Sequence, residues 1–260
     1  MIELVGDVLN WIALGVLVPL LLLPLGLLFG NRSGLRVALV WAGMVATLIA
    51  IVWGFSYAAV DLSPPGFSLP GITMAGITLL LGSILIQHDA HTGLAHLRRA
   101  ASQIVTTIGK LTFVAVLAMA LIQFTVVVLR YVFGINSIAM QESVTYMHGT
   151  AFLLAAGYAL LHDDHVRVDI FYSRLPPRRK AIVNLAGVYV FLFPFCLLTI
   201  FASGDYVANA WSSFEGSTEQ SGIQGIFLLK SLIPAFATLL ALAGFSLAVA
   251  SVETLNSGSQ

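Results

Sequence analysis

The chain has 260 residues, 58% hydrophobic and 9% charged, with a formal net charge of zero and a mean hydropathy of +0.95. A soluble domain carries roughly a quarter charged residues to keep its surface wet. The composition therefore excludes an ordinary water-soluble globule, and the balance of charge excludes nucleic acid as a partner.

A bilayer core takes about 20 apolar residues as helix. In chain order, the apolar runs predict about seven spans, at roughly 8–29, 37–60, 70–87, 108–133, 143–161, 181–203 and 226–250. The fold class expected is all-α, a polytopic helical bundle in the membrane. The first residues, Met1 to Asp7, are acidic and lack the basic stretch of a secretory signal, so the first run is expected to persist as a helix. Pro19 and Pro24 are expected to kink it. The third run is the shortest, and Pro70, Gly71, Gly76 and Gly82 lower its helix propensity. A polar stretch, His88 to Arg99, then divides an N-terminal extension of about three helices (1–104) from a four-helix part (105–260).

The connections carry the orientation signal. Arg32, Arg36, Arg98, Arg99, Lys110, Arg167, Arg174, Arg178, Arg179 and Lys180 fall on one side, whereas the other holds only Arg130 and Lys230, both at helix ends, with Glu3, Asp7, Asp61, Glu142, Asp205, Glu215 and Glu219. Arg/Lys-rich connections stay in the cytoplasm, which places the N-terminus outside, the C-terminus inside and the chain in a bacterial inner membrane. Trp11, Trp41, Trp53 and Trp211 lie near span ends and read as interfacial anchors.

No Asp, Glu, Lys or Arg falls near the middle of any predicted span. Charges at mid-bilayer cost about 2.5–3.5 kcal/mol on insertion scales and usually mark ion pathways. Their absence, with no internal repeat between the halves, favours a scaffold over a self-contained carrier. The lone Cys196 sits in an apolar run and reads as a small buried residue.

The densest polar stretch runs from His162 to Lys180. His-x-x-His with nearby carboxylates is weak evidence for a metal. The structural reading is a turn in which Asp169 caps a short interfacial helix, Pro176-Pro177 ends it and Pro177 opens the next. Arg178, Arg179 and Lys180 then face anionic headgroups. On the opposite side Arg130 ends one span and Glu142 opens the next, as a pair across the short connection or as contacts for another chain. His148 and His162 are roughly 21 Å apart along a helix and cannot share a haem. Lys230 lies about one turn into the last span, off-centre for a retinal lysine.

These stretches resemble a known family, the DctQ-type small membrane subunit of TRAP (tripartite ATP-independent periplasmic) transporters. The resemblance rests on Arg130 to Phe133, Glu142, His165-Val166-Arg167-Val168-Asp169 followed by Leu175-Pro176, Glu219 to Ile223, and Lys230 to Pro234. It spans about residues 105–252, and the extra N-terminal helices depart from the usual four. It implies a non-enzymatic subunit without a cofactor, packed against a large multi-helix transport subunit. That partner would carry the sodium and solute sites, and a periplasmic substrate-binding protein would deliver a carboxylate-bearing solute. The resemblance makes Arg130 and Glu142 candidates for the outer docking face, His165, Arg167 and Asp169 for fixing the cytoplasmic turn, and Lys230 for the last helix. The acidic loop from Asp205 to Glu219 is a candidate to meet the binding protein. The alternative is a membrane anchor of a respiratory oxidoreductase, with haem held by His88 or His91 and His162 or His165.

Overall fold

The computed structural model describes residues 69–165 and 172–257, with side chains from Ala95 onward, together with residues 5, 6, 8, 9, 12, 13, 17, 18, 21 and 23–25. The predicted span at 37–60 lies outside the described residues, as do Pro19, Arg32, Arg36, Trp11, Trp41 and Trp53. Five α-helices follow in order: α1 (Leu69–Val132), α2 (Ile138–His162), α3 (Pro177–Ala186), α4 (Phe193–Ser212) and α5 (Ile226–Ser257). A π-helical turn, Gly187–Leu192, joins α3 to α4 without a break. Among the described residues, 4 stretches are long and apolar enough to cross a membrane: Ala95–Val132, Ile138–His162, Pro177–Ser212 and Ile226–Ser257.

The polar stretch His88 to Arg99 is not a loop. It lies inside α1, so the runs expected as separate spans at 70–87 and 108–133 are the two ends of one 64-residue helix. The reason is local: no proline interrupts 71–132, and the alanines, leucines and arginines of the polar stretch favour a helix in which its histidines are tolerated. Hydropathy registers a change of solvent there, whereas the backbone has no cause to turn. The Ala95–Val132 part alone is about 57 Å long at 1.5 Å per residue. That exceeds a hydrocarbon core of about 30 Å, so its polar beginning extends past the hydrocarbon into the headgroup layer.

The remaining helix ends have identifiable causes. Ser137 caps α2, its hydroxyl accepting from the Met140 amide at 3.4 Å. The far end of α2 closes through Asp163 in the left-handed region (φ 64°), with the Asp164 N–H donating to the Ala159 carbonyl at 2.9 Å. Pro177 occupies the first turn of α3, as its fixed φ and missing N–H predict. The π-turn precedes Pro194, whose ring crowds the carbonyl four residues back. The wider turn relieves this, and the Phe193 N–H reaches the Val188 carbonyl instead.

α5 is the central element and packs against α1, α2, α3 and α4. It does so with small residues: Ala237, Ala241, Gly244 and Ala248 are buried on the side of Phe193, Cys196, Leu197 and Ile200, and Ala243 on the side of Val105. Small side chains let helices approach closely where no hydrophobic gain between helices is available. Cys196 is a buried free thiol in this core, as expected from the sequence. Leu9, Ala13, Leu17, Val18 and Leu21 of the N-terminal segment join the same cluster, and the Tyr189 hydroxyl donates to the Leu21 carbonyl at 2.6 Å. The first segment thus shares one core with the helices that follow.

α2 and α5 approach each other closely at Gly157. A Cβ built on Gly157 would stand 2.9 Å from the Leu239 carbonyl oxygen, which cannot swing away as a side-chain tip would. Gly157→Ala is expected to destabilise the bundle by about 1–3 kcal/mol through overpacking. Thermal unfolding in detergent checks this, and an unchanged midpoint would mean the helices are free to slide apart.

Candidate functional site

Each membrane-length stretch reverses direction relative to the last, so the connections gather at two ends. One end carries the 133–137 connection and the loop between α4 and α5; the other carries the start of the α1 span, the α2–α3 connection and the end of α5. Arg98 on α1 and Glu253 on α5 meet at the second end, with 2.5 Å between Nη1 and Oε2.

At the first end a set of polar side chains clamps the α4–α5 loop onto the helices. α4 ends as Phe214 enters the left-handed region (φ 46°), while the Glu215 N–H bonds the Ala210 carbonyl at 2.9 Å. This helix stop, here without glycine, aims Glu215 toward α5. Its carboxylate lies 2.5 Å from the Lys230 ammonium, which also sits 3.9 Å from the centre of the Tyr206 ring. A cation in the first turns of a helix opposes the helix dipole, and the carboxylate and the ring face offset that. Beneath them the Trp211 indole donates to Ser231 Oγ at 2.8 Å and packs edge-on to Phe227. Trp211 is therefore committed inside the chain, beyond the interfacial role its position suggests.

Glu142 holds the rest of the loop. One carboxylate oxygen accepts from the Ser217 hydroxyl and the other from the Ile223 N–H at 2.6 Å. Ser217 Oγ accepts in turn from the Glu219 N–H at 3.1 Å, and the Gly222 N–H donates to the Glu219 carbonyl at 3.0 Å. A side chain at 222 would collide with Ser217 and come within 2.7 Å of Glu142 Oε1, so only glycine lets the loop close over the carboxylate. A loop that should be mobile at the protein surface is thus fixed at three points.

The expected pairing of Arg130 with Glu142 is not what the structure shows. Glu142 turns inward to the loop, whereas Arg130 is exposed, its guanidinium 5.9 Å from the centre of its neighbour's ring, Tyr131. Across the same connection Gln141 is hydrogen-bonded to Asn136. At the other end His165 is exposed, and Arg167 and Asp169 lie outside the described residues. The His162 ring stacks on Tyr158 at 4.0 Å between centres. Tyr172 donates to Asn184 Oδ1 at 3.0 Å, with the Lys180 ammonium 5.3 Å from its ring centre.

Sequence reasoning did not assign Ser217, Glu215 or Tyr206 a contact, and it had no way to give the Ile223 amide a role. The available signal was indirect: Glu219 to Ile223 is one of the stretches that carry the resemblance, and a glycine within it implies close approach. Lys230, singled out from sequence, does sit in the clamp. Its side chain is only 15% exposed, so Lys230→Met is expected to cost about 1–3 kcal/mol by stranding the Glu215 carboxylate. The double variant Lys230→Met/Glu215→Gln should recover part of that in the same unfolding assay, and equal losses in both would refute coupling.

A scan against protein families matches the family described as "Tripartite ATP-independent periplasmic transporters, DctQ component" over residues 119–254. The chain belongs to the DctQ family. The match takes in α2 to α4, α5 as far as Thr254, about the last third of the α1 span, and Arg130, Glu142, His165, Arg167, Asp169 and Lys230. This DctQ chain is a non-enzymatic, multi-pass membrane component of a TRAP transporter, a system that also contains a large membrane component and a periplasmic one. No curated protein and no solved structure matches it. Membership sets aside the oxidoreductase-anchor alternative.

Proposed function

We propose that this DctQ chain is the static scaffold of a sodium-coupled importer of carboxylate-bearing solutes. It packs against the large transport subunit while that subunit moves the solute. The observation that carries this is an imbalance of burial between helices. Only 11% of the most apolar stretch of α1, and 11% of that of α2, is buried within the chain, against 56% for α5. Phe113, Leu117, Leu121 and Phe124 form an exposed apolar stripe along α1, and Phe152 stands out from α2. A rigid core with two bare apolar helices suits a part that another membrane protein leans on.

The Arg/Lys-rich connections support placing the α2–α3 turn and the C-terminus in the cytoplasm. The clamped loop then lies on the periplasmic side. There Glu219 on the loop and Arg130 at the end of α1 are exposed and available to a binding protein. His165, Arg167 and Asp169 are proposed to fix the cytoplasmic turn, and residues 1–104 to enlarge the scaffold around the 105–260 part.

The test is reconstitution. Purified from its host, the tagged chain should bring with it one large apolar membrane protein in equal amount. Liposomes holding both should take up solute only with sodium and the binding protein present. Uptake by this chain alone would overturn the scaffold reading.

A further inference from the structure

A second cavity lies at the basic end of the bundle, far from the clamp. It has a volume of about 480 Å³ and is lined by Ala95, Arg98, Arg99, Ser102 and Gln103 of α1 and by Glu253 of α5. The spacing of the α1 residues (i, i+3, i+4, i+7, i+8) puts them all on one helical face. Two guanidiniums therefore open into one space against a single carboxylate. Glu253 engages Arg98 through Nη1 at 2.5 Å, which fixes that side chain in the cavity wall and leaves the guanidinium's remaining N–H groups to donate. Arg99 is exposed and has no ion-pair partner among the described residues. Ser102 is positioned by a hydrogen bond to Ser246 of α5 at 3.1 Å.

We infer that this cavity binds the phosphate of an anionic lipid headgroup. Three observations point to lipid rather than to a soluble anion. The cavity lies where the membrane-spanning part of α1 begins and that of α5 ends, which is headgroup depth. The same face of α1 continues toward the bilayer into Lys110 and then the exposed Phe113, a cationic rim above an apolar wall along which an acyl chain can lie. Finally, the planar guanidinium fork matches phosphate oxygens in pairs, and basic pockets between helices at this depth are suited to such headgroups. The inference does not depend on which solute is carried.

Native mass spectrometry of the detergent-purified full chain, titrated with phosphatidylglycerol or phosphatidylcholine, tests it. Arg98→Ala/Arg99→Ala should weaken phosphatidylglycerol binding about tenfold or more while leaving phosphatidylcholine unchanged. Should that variant fail to fold, Arg99→Gln, which breaks no ion pair, should still weaken it severalfold. Glu253→Gln should strengthen binding, because it removes the competing carboxylate. If Glu253→Gln instead weakens binding as the arginine variants do, the cluster is only a helix-to-helix tie and the proposal fails. Millimolar inorganic phosphate should not displace the lipid; displacement would mark a soluble-anion site and equally overturn it.

Discussion

Replacing Glu142 by alanine is expected to release the α4–α5 loop while leaving the helices in place. The carboxylate accepts from the Ser217 hydroxyl and from the Ile223 N–H. Hydrogen bonds to a charged group contribute about 1.5–3 kcal/mol each, and the Ile223 amide would be stranded, so a loss of about 2–4 kcal/mol follows. The effect is local because, among the described residues, the main cluster lies elsewhere, among α3, α4, α5, Ala101 of α1 and the N-terminal segment. Hydrogen exchange should therefore show protection lost at the Ile223 and Gly222 amides and retained at α5 amides such as Phe245. Glu142→Gln keeps one carbonyl acceptor and should lose about half as much. Uptake by the reconstituted transporter should fall with loop protection, variant by variant, if the loop is a docking surface. Unchanged exchange at Ile223 in the alanine variant would show that the carboxylate does not hold the loop.

The contrast between what the sequence disclosed and what it hid has a physical pattern. The four apolar helices from α1 onward were legible because hydropathy reports the solvent directly, and Pro177 and Cys196 behave as their chemistry requires. Helix ends were less legible. Hydropathy ends where the bilayer ends, whereas α2 runs from Ile138 to His162 because caps and hydrogen bonds stop helices, and α5 continues as helix through Ser257. The same distinction explains α1, where a polar stretch looked like a connection but contains nothing that breaks a helix. In the clamp, Glu142 and Lys230 stood out because charges are scarce in this chain. Their partners did not, since Ser217 is an ordinary loop serine and the Ile223 donor is backbone, which carries no residue signature. The expected Arg130–Glu142 pair failed for a related reason. Closeness in sequence suggested it, but Glu142 found donors 75 and 81 residues away.

The apolar stripe on α1 gives the sharpest test of what the bundle is for. Leu121 and Phe124 are 60% and 68% exposed in the isolated chain. They lie in the half of the membrane near the clamped loop, away from the lipid cavity. Lipid tails accommodate any apolar shape, whereas a protein partner packs against one shape to crystal-like density. Leu121→Trp adds apolar volume on a face that is exposed among the described residues, and Phe124→Ala removes an exposed ring that contributes little to the described core. Both should leave the thermal midpoint of the isolated chain unchanged. Against a packed large subunit, however, overfilling costs about 1–3 kcal/mol and loss of an aromatic anchor at least as much. Recovery of the large subunit on the tagged chain should then fall about tenfold. A charged variant would be a poorer probe, since Leu121→Arg costs about 2.5–3.5 kcal/mol against lipid as well. If Leu121→Trp and Phe124→Ala both retain the large subunit, this face of α1 looks onto lipid. The scaffold contact must then be sought on α2, around Phe152.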